Sequence, residues 1–181
     1  IDIPDICMHF MPLSTDAPGE KLHKFSGFTN AVYQCRPESR GNIHISSSDN
    51  KKDPVIKPNY LSTDKDKEII INGIKLAQKL AETESMKKYI EDIFFPKQNL
   101  NTDEEILSFA KENGGTIFHP SCTCKMGNAN DKLAVVDDNL KVHGINGLRI
   151  VDASIMPSIT SGNINAATIM IAEKGADLIT E

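Results

Sequence analysis

The sequence predicts an α+β chain: an antiparallel sheet with covering helices, followed by a more apolar segment that closes on a strand and a helix. Three observations carry that prediction. Short stretches rich in Ile, Val, Phe, Thr and Tyr fill the opening region, apolar side chains recur three to four residues apart between about residues 63 and 113, and glycines punctuate the chain after Thr116. With 181 residues, 39% of them hydrophobic and 25% charged, the composition is that of a folded globular protein and excludes collagen, coiled coil and wholesale disorder. The net charge of −5 argues against a polyanion footprint, so no nucleic acid is expected as a partner. The uninterrupted apolar runs are a handful of residues, far short of the roughly 20 that a membrane-spanning helix needs, so any membrane attachment would be peripheral or through a partner.

Taken in order, Ile3 to Leu13, Phe28 to Arg36 and Asn42 to Ser48 read as three strands, the last with the alternation Ile43-His44-Ile45-Ser46. Pro37 and Gly41 mark a turn between the second and third, a spacing that suits an antiparallel pair. Asp49 to Pro58 is polar and carries Pro54 and Pro58, so it reads as an extended surface connection. From Thr63 to Glu82, Ile70, Ile74, Ala77 and Leu80 or Ala81 form a stripe, with Lys65, Lys67, Glu68, Lys75 and Lys79 largely off it. That is an amphipathic helix laid against a sheet. A shorter helix is expected over Ser85 to Phe94, stopped by Pro96. Thr102-Asp103-Glu104-Glu105 has the form of a capping box; the helix it opens turns Ile106, Phe109 and Ala110 inward and ends at Gly114-Gly115. After a soft boundary near residue 116, Leu148 to Val151 suits a buried strand. Asn165 to Ile179, apolar nearly all round, suits a helix enclosed in a larger protein. Residue 1 is Ile rather than Met and no signal-peptide pattern follows it, so the chain is expected to be a piece of something longer.

Cys7, Cys35, Cys122 and Cys124 form no array with zinc spacing, and the last two are too close in sequence for a strain-free disulfide; small buried thiols are the expectation, and no metal. His9, His23, His44 and His143 fall in strands, a charged loop or a turn, where structural or solvent-facing roles are the rule. His119 is set apart by its surroundings, Thr116-Ile117-Phe118 before it and Pro120-Ser121-Cys122-Thr123-Cys124-Lys125-Met126-Gly127 after it, small and rigid residues able to hold an imidazole in a closed site. Imidazole is the usual general base near neutral pH. A second candidate is Ser161-Gly162-Asn163-Ile164-Asn165 at the mouth of the final helix. These are ordinary capping residues, and the unpaired N–H groups of the same helix end also favour an anion beside them. There is no GxGxxG, Walker loop or GxSxG elbow, so neither nucleotide binding nor serine hydrolysis is legible from the chain by itself.

The combination of motifs says more than any one of them. His119 to Gly127, Ala134-Val135-Val136-Asp137, Val142 to Pro157, Ser161-Gly162-Asn163-Ile164-Asn165-Ala166 and Ile169 to Lys174 closely resemble, in order, the C-terminal part of the glucose–methanol–choline (GMC) family of FAD-dependent alcohol oxidoreductases. Upstream, Arg36 to Gly41, Asp53-Pro54-Val55-Ile56 and Pro58-Asn59-Tyr60-Leu61-Ser62 look like landmarks of that family's substrate domain. The fold class so implied is the antiparallel sheet of a substrate domain with covering helices, plus the last strand and helix of an FAD-binding Rossmann-like domain. In residue terms, 1–118 would be a partial substrate-binding domain and 119–181 a catalytic and FAD-binding segment, with Leu148 to Val151 joining the Rossmann-like sheet.

The resemblance implies that His119 takes the hydroxyl proton of an alcohol while the carbinol carbon gives a hydride to flavin N5. Asn163 matches the partner position, where an amide orients the alcohol or alkoxide. Asp152 and Ala153 match a flavin-contacting turn, and Asn163, Ile164 and Asn165 would meet the flavin at the start of the last helix. The expected cofactor is FAD and the expected reaction choline to betaine aldehyde. A family dehydrogenase for primary aliphatic alcohols and a non-catalytic chain that binds no flavin remain as alternatives. Implied partners are the small alcohol and a missing N-terminal FAD-binding portion of the same protein; the electron acceptor stays open and a homo-oligomer is allowed. The expected location is cytoplasmic or peripherally membrane-associated, and the isolated chain is expected to be inactive.

Overall fold

The computed structural model describes residues 3–17 and 19–180; Ile1, Asp2, Pro18 and Glu181 lie outside the described residues. The backbone groups into two units, Ile1–Glu38 with Leu61–Gly114 and Ser39–Tyr60 with Gly115–Glu181. The second unit begins near the sequence boundary, but it also takes in residues 39–60, so the division is not a single cut at residue 118.

In the first unit, β1 (Ile6–Met11) pairs antiparallel with β2 (Thr29–Gln34), Cys7 facing Tyr33 and His9 facing Ala31. The pair is covered by α1 (Asp64–Ala81), which starts where Thr63 accepts from the Asp66 N–H at 3.2 Å. The close approach of helix and strand requires Gly73: a Cβ there would lie 2.5 Å from Cγ1 of Val32. Beyond α1, α2 (Glu84–Lys87) is a single turn, shorter than the helix expected to Phe94. At α3 (Asp103–Asn113) both hydrogen bonds of the capping box form, Thr102 N–H donating to Glu105 Oε2 at 2.9 Å and Glu105 N–H to Thr102 Oγ1 at 3.2 Å. Ile106 and Leu100 bury against Ile71 of α1, and Lys75 pairs with Asp103 across the two helices.

One buried group was not visible as such in the sequence. Asp66, 1% exposed, accepts from Gln34 Nε2 at 2.6 Å and from the Glu38 N–H at 2.9 Å, tying the first turn of α1 to the chain that leaves β2. Cys35 is buried, which pushes its thiol pKa up, whereas Cys7, Cys122 and Cys124 are half-buried.

The second unit departs from the sequence reading in its strands. β3 (Asn42–His44) pairs with β4 (Val55–Lys57) and not with β2. The partner lies in the segment expected to be plain surface connection, and Gly41 lets the chain turn tightly onto it: a Cβ there would overlap the carbonyls of Lys57 and Pro58. Leu148 to Val151 forms no strand. Its Leu148 carbonyl accepts from Val142 and its Ile150 N–H donates to Leu140, leaving one antiparallel bridge between Lys141 and Arg149. A parallel sheet needs flanking strands, and among the described residues only 140–142 lies beside this segment, so the Rossmann-like strand does not form here.

The core of this unit is Val136, Leu140, Ile155, Met156, Ile164 and Ile171. Against it packs α4 (Asn165–Thr180), whose Gly175 lies so close to Val151 that a Cβ would overlap the valine methyl. Arg149 Nη2 donates to the Leu178 carbonyl at 3.0 Å, placing a cation on the last turn of α4.

Three outcomes follow. Asp66→Ala leaves two buried donors without their acceptor and is expected to cost about 1–3 kcal/mol in urea unfolding, whereas Asp64→Ala, an exposed partner of Lys67, leaves the midpoint nearly unchanged. Gly175→Ala overpacks Val151 and is expected to destabilise by about 1–3 kcal/mol despite alanine's better helix propensity; Gly115→Ala, in open space, is expected to be neutral. The backbone N–H groups of Thr102 and Asn101 hold the Glu105 carboxyl below the usual carboxylate range. Its contribution is therefore full above the ordinary glutamate pKa and is lost as pH falls through the depressed value. The stability difference between wild type and Glu105→Gln is expected to vanish over that acidic window.

Candidate active site

The His119 loop is held by backbone pairing to a turn that the core itself fixes. Ile155, 1% exposed, anchors a short 3-10 turn (Ala153–Ile155), and Asp152 caps it by accepting from the Ser154 N–H at 2.7 Å. Three donors of the incoming chain then bond to consecutive carbonyls of this turn: Cys122 N–H to Ala153 at 3.3 Å, Cys124 N–H to Ser154 at 2.9 Å and Met126 N–H to Ile155 at 2.7 Å. The loop is bent to reach them. Phe118 and Cys122 both adopt left-handed backbone, φ +59° and +70°, which costs energy for residues with a Cβ and persists where surrounding contacts enforce it.

Downstream, the Gly127 N–H donates to Val136 and its carbonyl accepts from His143 Nε2 at 2.9 Å, which makes Nε2 the protonated nitrogen of His143. Lys125 pairs with Asp131 at 2.6 Å and holds that carboxyl below its usual range. His9 pairs with the Tyr33 hydroxyl at 3.1 Å and His23 with Ser14 at 3.0 Å, so these three histidines have structural partners. No hydrogen bond of the His119 side chain forms among the described residues, and the ring is half-buried.

His119 lies in the wall of a cleft of about 570 Å³. Pro120, Ser121 and Thr123 continue that wall, Asp152, Ala153 and Ser154 form a second, and Ile164, Asn165 and Thr168 of the α4 entrance form a third. Phe118 stands at its edge, largely exposed. Of the residues singled out in the sequence, His119, Asp152, Ala153, Ile164 and Asn165 therefore share one cavity. Asn163 does not line it; it is exposed on the approach to α4. Thr168 was not anticipated, although its spacing of three from Asn165 puts both on one helix face.

The chemistry of the α4 entrance comes from its backbone. The Ile164 carbonyl accepts the first intrahelical bond, from the Thr168 N–H at 2.9 Å, so the N–H groups of Asn165, Ala166 and Ala167 have no intrahelical acceptor. Ile164 is buried in the core, which fixes where this positive helix end sits. The cleft thus combines an imidazole, a helix N-terminus suited to negative charge, and apolar surface from Pro120, Ala153 and Ile164.

Comparison with known proteins gives this arrangement its family. A model described as GMC oxidoreductase matches residues 37–172. The chain is 40% identical to an oxygen-dependent choline dehydrogenase of Staphylococcus saprophyticus and 41% identical to one of Staphylococcus aureus, in each case over 99% of this chain and 32% of the relative. It spans about a third of the length of those relatives. Among solved structures, pyridoxine 4-oxidase from Mesorbium loti superposes with a TM-score of 0.83 at 31% identity, over 96% of this chain and 34% of that one. A formate oxidase superposes with a TM-score of 0.80 at 30% identity, over 90% and 28%. The motif order around His119, the cleft those motifs build and a family match over most of the length converge on one assignment: the chain belongs to the GMC oxidoreductase family.

Proposed function

We propose that this chain is the C-terminal part of a longer FAD-dependent alcohol dehydrogenase, and that the whole protein oxidises choline to betaine aldehyde. The observation that carries the reading is the shared cleft of His119 and the α4 N-terminus. The donor set suits FAD: unpaired N–H groups of Asn165 to Ala167 match the electron-rich edge of its ring system, and the apolar surface of Ala153 and Ile164 matches a flat conjugated face. FAD, when bound, supplies the hydride acceptor.

The residues of the chain do the rest. An imidazole nitrogen of His119, free of other side-chain bonds, takes the proton of the substrate hydroxyl, because a carbon releases hydride readily only as its oxygen becomes negative. Asn165 and Thr168 present polar groups to the same space and orient the oxygen; Asn163, on the approach to α4, acts only where the remainder of the protein brings substrate to it. Pro120 and the strained backbone at Phe118 and Cys122 keep the imidazole aimed, so little reorganisation accompanies proton transfer. The choline assignment rests on the likeness to the staphylococcal choline dehydrogenases. A primary aliphatic alcohol is the second reading, favoured by the presence of Phe118 as the one aromatic residue lining the cleft, since a quaternary ammonium ion is usually held by several.

In the complete flavoprotein, His119→Ala is expected to lower kcat for choline-dependent flavin reduction by about 10²–10⁴ while flavin content stays at the wild-type level. A near wild-type rate would remove His119 from the role of base. Side-by-side kcat/KM values for choline and short primary alcohols decide between the two substrates.

A further inference from the structure

The first unit carries an exposed aromatic cluster that the proposed chemistry does not use. His23 stacks on Phe25, ring centroids 4.9 Å apart and planes at 16°, and Phe94 lies 4.9 Å from both. His23 is pinned at both nitrogens, to Ser14 Oγ at 3.0 Å and to Asp16 Oδ1 at 3.2 Å, so the segment of residues 21–25 is held against that of residues 93–95. Leu22, Phe25, Tyr89, Ile93, Phe94 and Phe95 are nevertheless exposed by 46–72%. An apolar group of this size on a folded surface marks an interaction site.

Its charge distinguishes the kind of partner. Lys21, Lys24, Lys87, Lys88 and Lys97 are all exposed on these two segments, against Glu20, Glu91 and Asp92, so the patch is locally positive on a chain of net charge −5. Lys88 Nζ stands 4.9 Å from the Tyr89 ring centroid, a cation held over an aromatic face. Lysine is depleted in protein–protein interfaces. Aromatic side chains rimmed by lysine are instead the composition of surfaces that sit at the lipid–water boundary, where the rings enter the headgroup region and the ammonium groups meet anionic headgroups. No helix among the described residues is long and apolar enough to cross a membrane, so such contact is made at the surface.

We propose that this patch docks the protein on an anionic lipid bilayer, with Phe25, Ile93 and Phe94 entering the interface and the lysines contacting headgroups. A few inserted side chains alone bind only marginally, so the attraction depends on the lipid charge, each lysine contributing about fivefold in affinity.

The test is co-sedimentation of the complete protein with vesicles of phosphatidylcholine alone or of phosphatidylcholine mixed equally with phosphatidylglycerol. The expected result is pelleting with the anionic vesicles only, reversed by high salt. The Lys87→Glu/Lys88→Glu/Lys97→Glu variant, altered only at exposed positions, is expected to weaken binding at least about a hundredfold with an unchanged melting temperature; Ile93→Ser/Phe94→Ser is expected to weaken it with the charges intact. The proposal is overturned by a protein that stays in the supernatant, by equal binding to both vesicles, or by variants that bind like wild type. It is equally overturned if the variants instead convert a dimer to a monomer in sedimentation velocity, which would make a second copy the occupant.

Discussion

Everything at the candidate active site depends on one short ladder, the three backbone hydrogen bonds from Cys122, Cys124 and Met126 to Ala153, Ser154 and Ile155. Each such bond is worth only about 1 kcal/mol net, but these three join the two segments that carry the chemistry, and both are anchored in the core. Ile155 and Met156 are buried on one side of the ladder, and Val136, whose carbonyl takes the Gly127 N–H, is buried on the other. His119 is therefore not a loop residue free to wander. Its position follows from a packed interior through two or three covalent steps.

The α4 entrance is fixed by the same interior. Ile164 belongs to the core cluster, Gly175 lets the helix lie directly on Val151, and Arg149 holds the far end by the Leu178 carbonyl. A helix located at its start, middle and end delivers its unpaired N–H groups to one place. Preorganisation of this kind favours charge developing in the cleft because the dipoles are already aligned when it appears. The left-handed residues Phe118 and Cys122 are the local cost of bending the His119 loop onto the turn.

The sequence and the structure agree best where the signal is local. The capping box at Thr102 and the start of α1 depend on residues within one helical turn, so they were legible. Pairing of β3 with β4 rather than β2 was not, because strand partners are chosen over distance and the decisive feature, the room at Gly41 for two carbonyls, has no periodicity. Asp66 looked like one more charge on a helix rich in lysine and acid; its burial follows from Gln34 and the Glu38 N–H, both brought in from the chain around β2. Leu148 to Val151 has the composition of a buried strand but a pairing partner along one edge only. Within the site, His119, Asp152, Ala153, Ile164 and Asn165 were legible through motif order, whereas the position of Asn163 outside the cleft depends on how the chain turns into α4.

The ladder can be tested directly by native-state hydrogen exchange in the complete protein. If it holds the His119 loop to the 153–155 turn as an extension of the core, the Cys124 and Met126 amides will exchange only through global unfolding, with the same denaturant dependence as the Val142 and Ile150 amides of the core. Exchange of those two amides through a denaturant-independent local opening, while Val142 and Ile150 remain protected, would contradict the account: the loop would then be mobile on its own, and the cleft would not be preorganised by the fold.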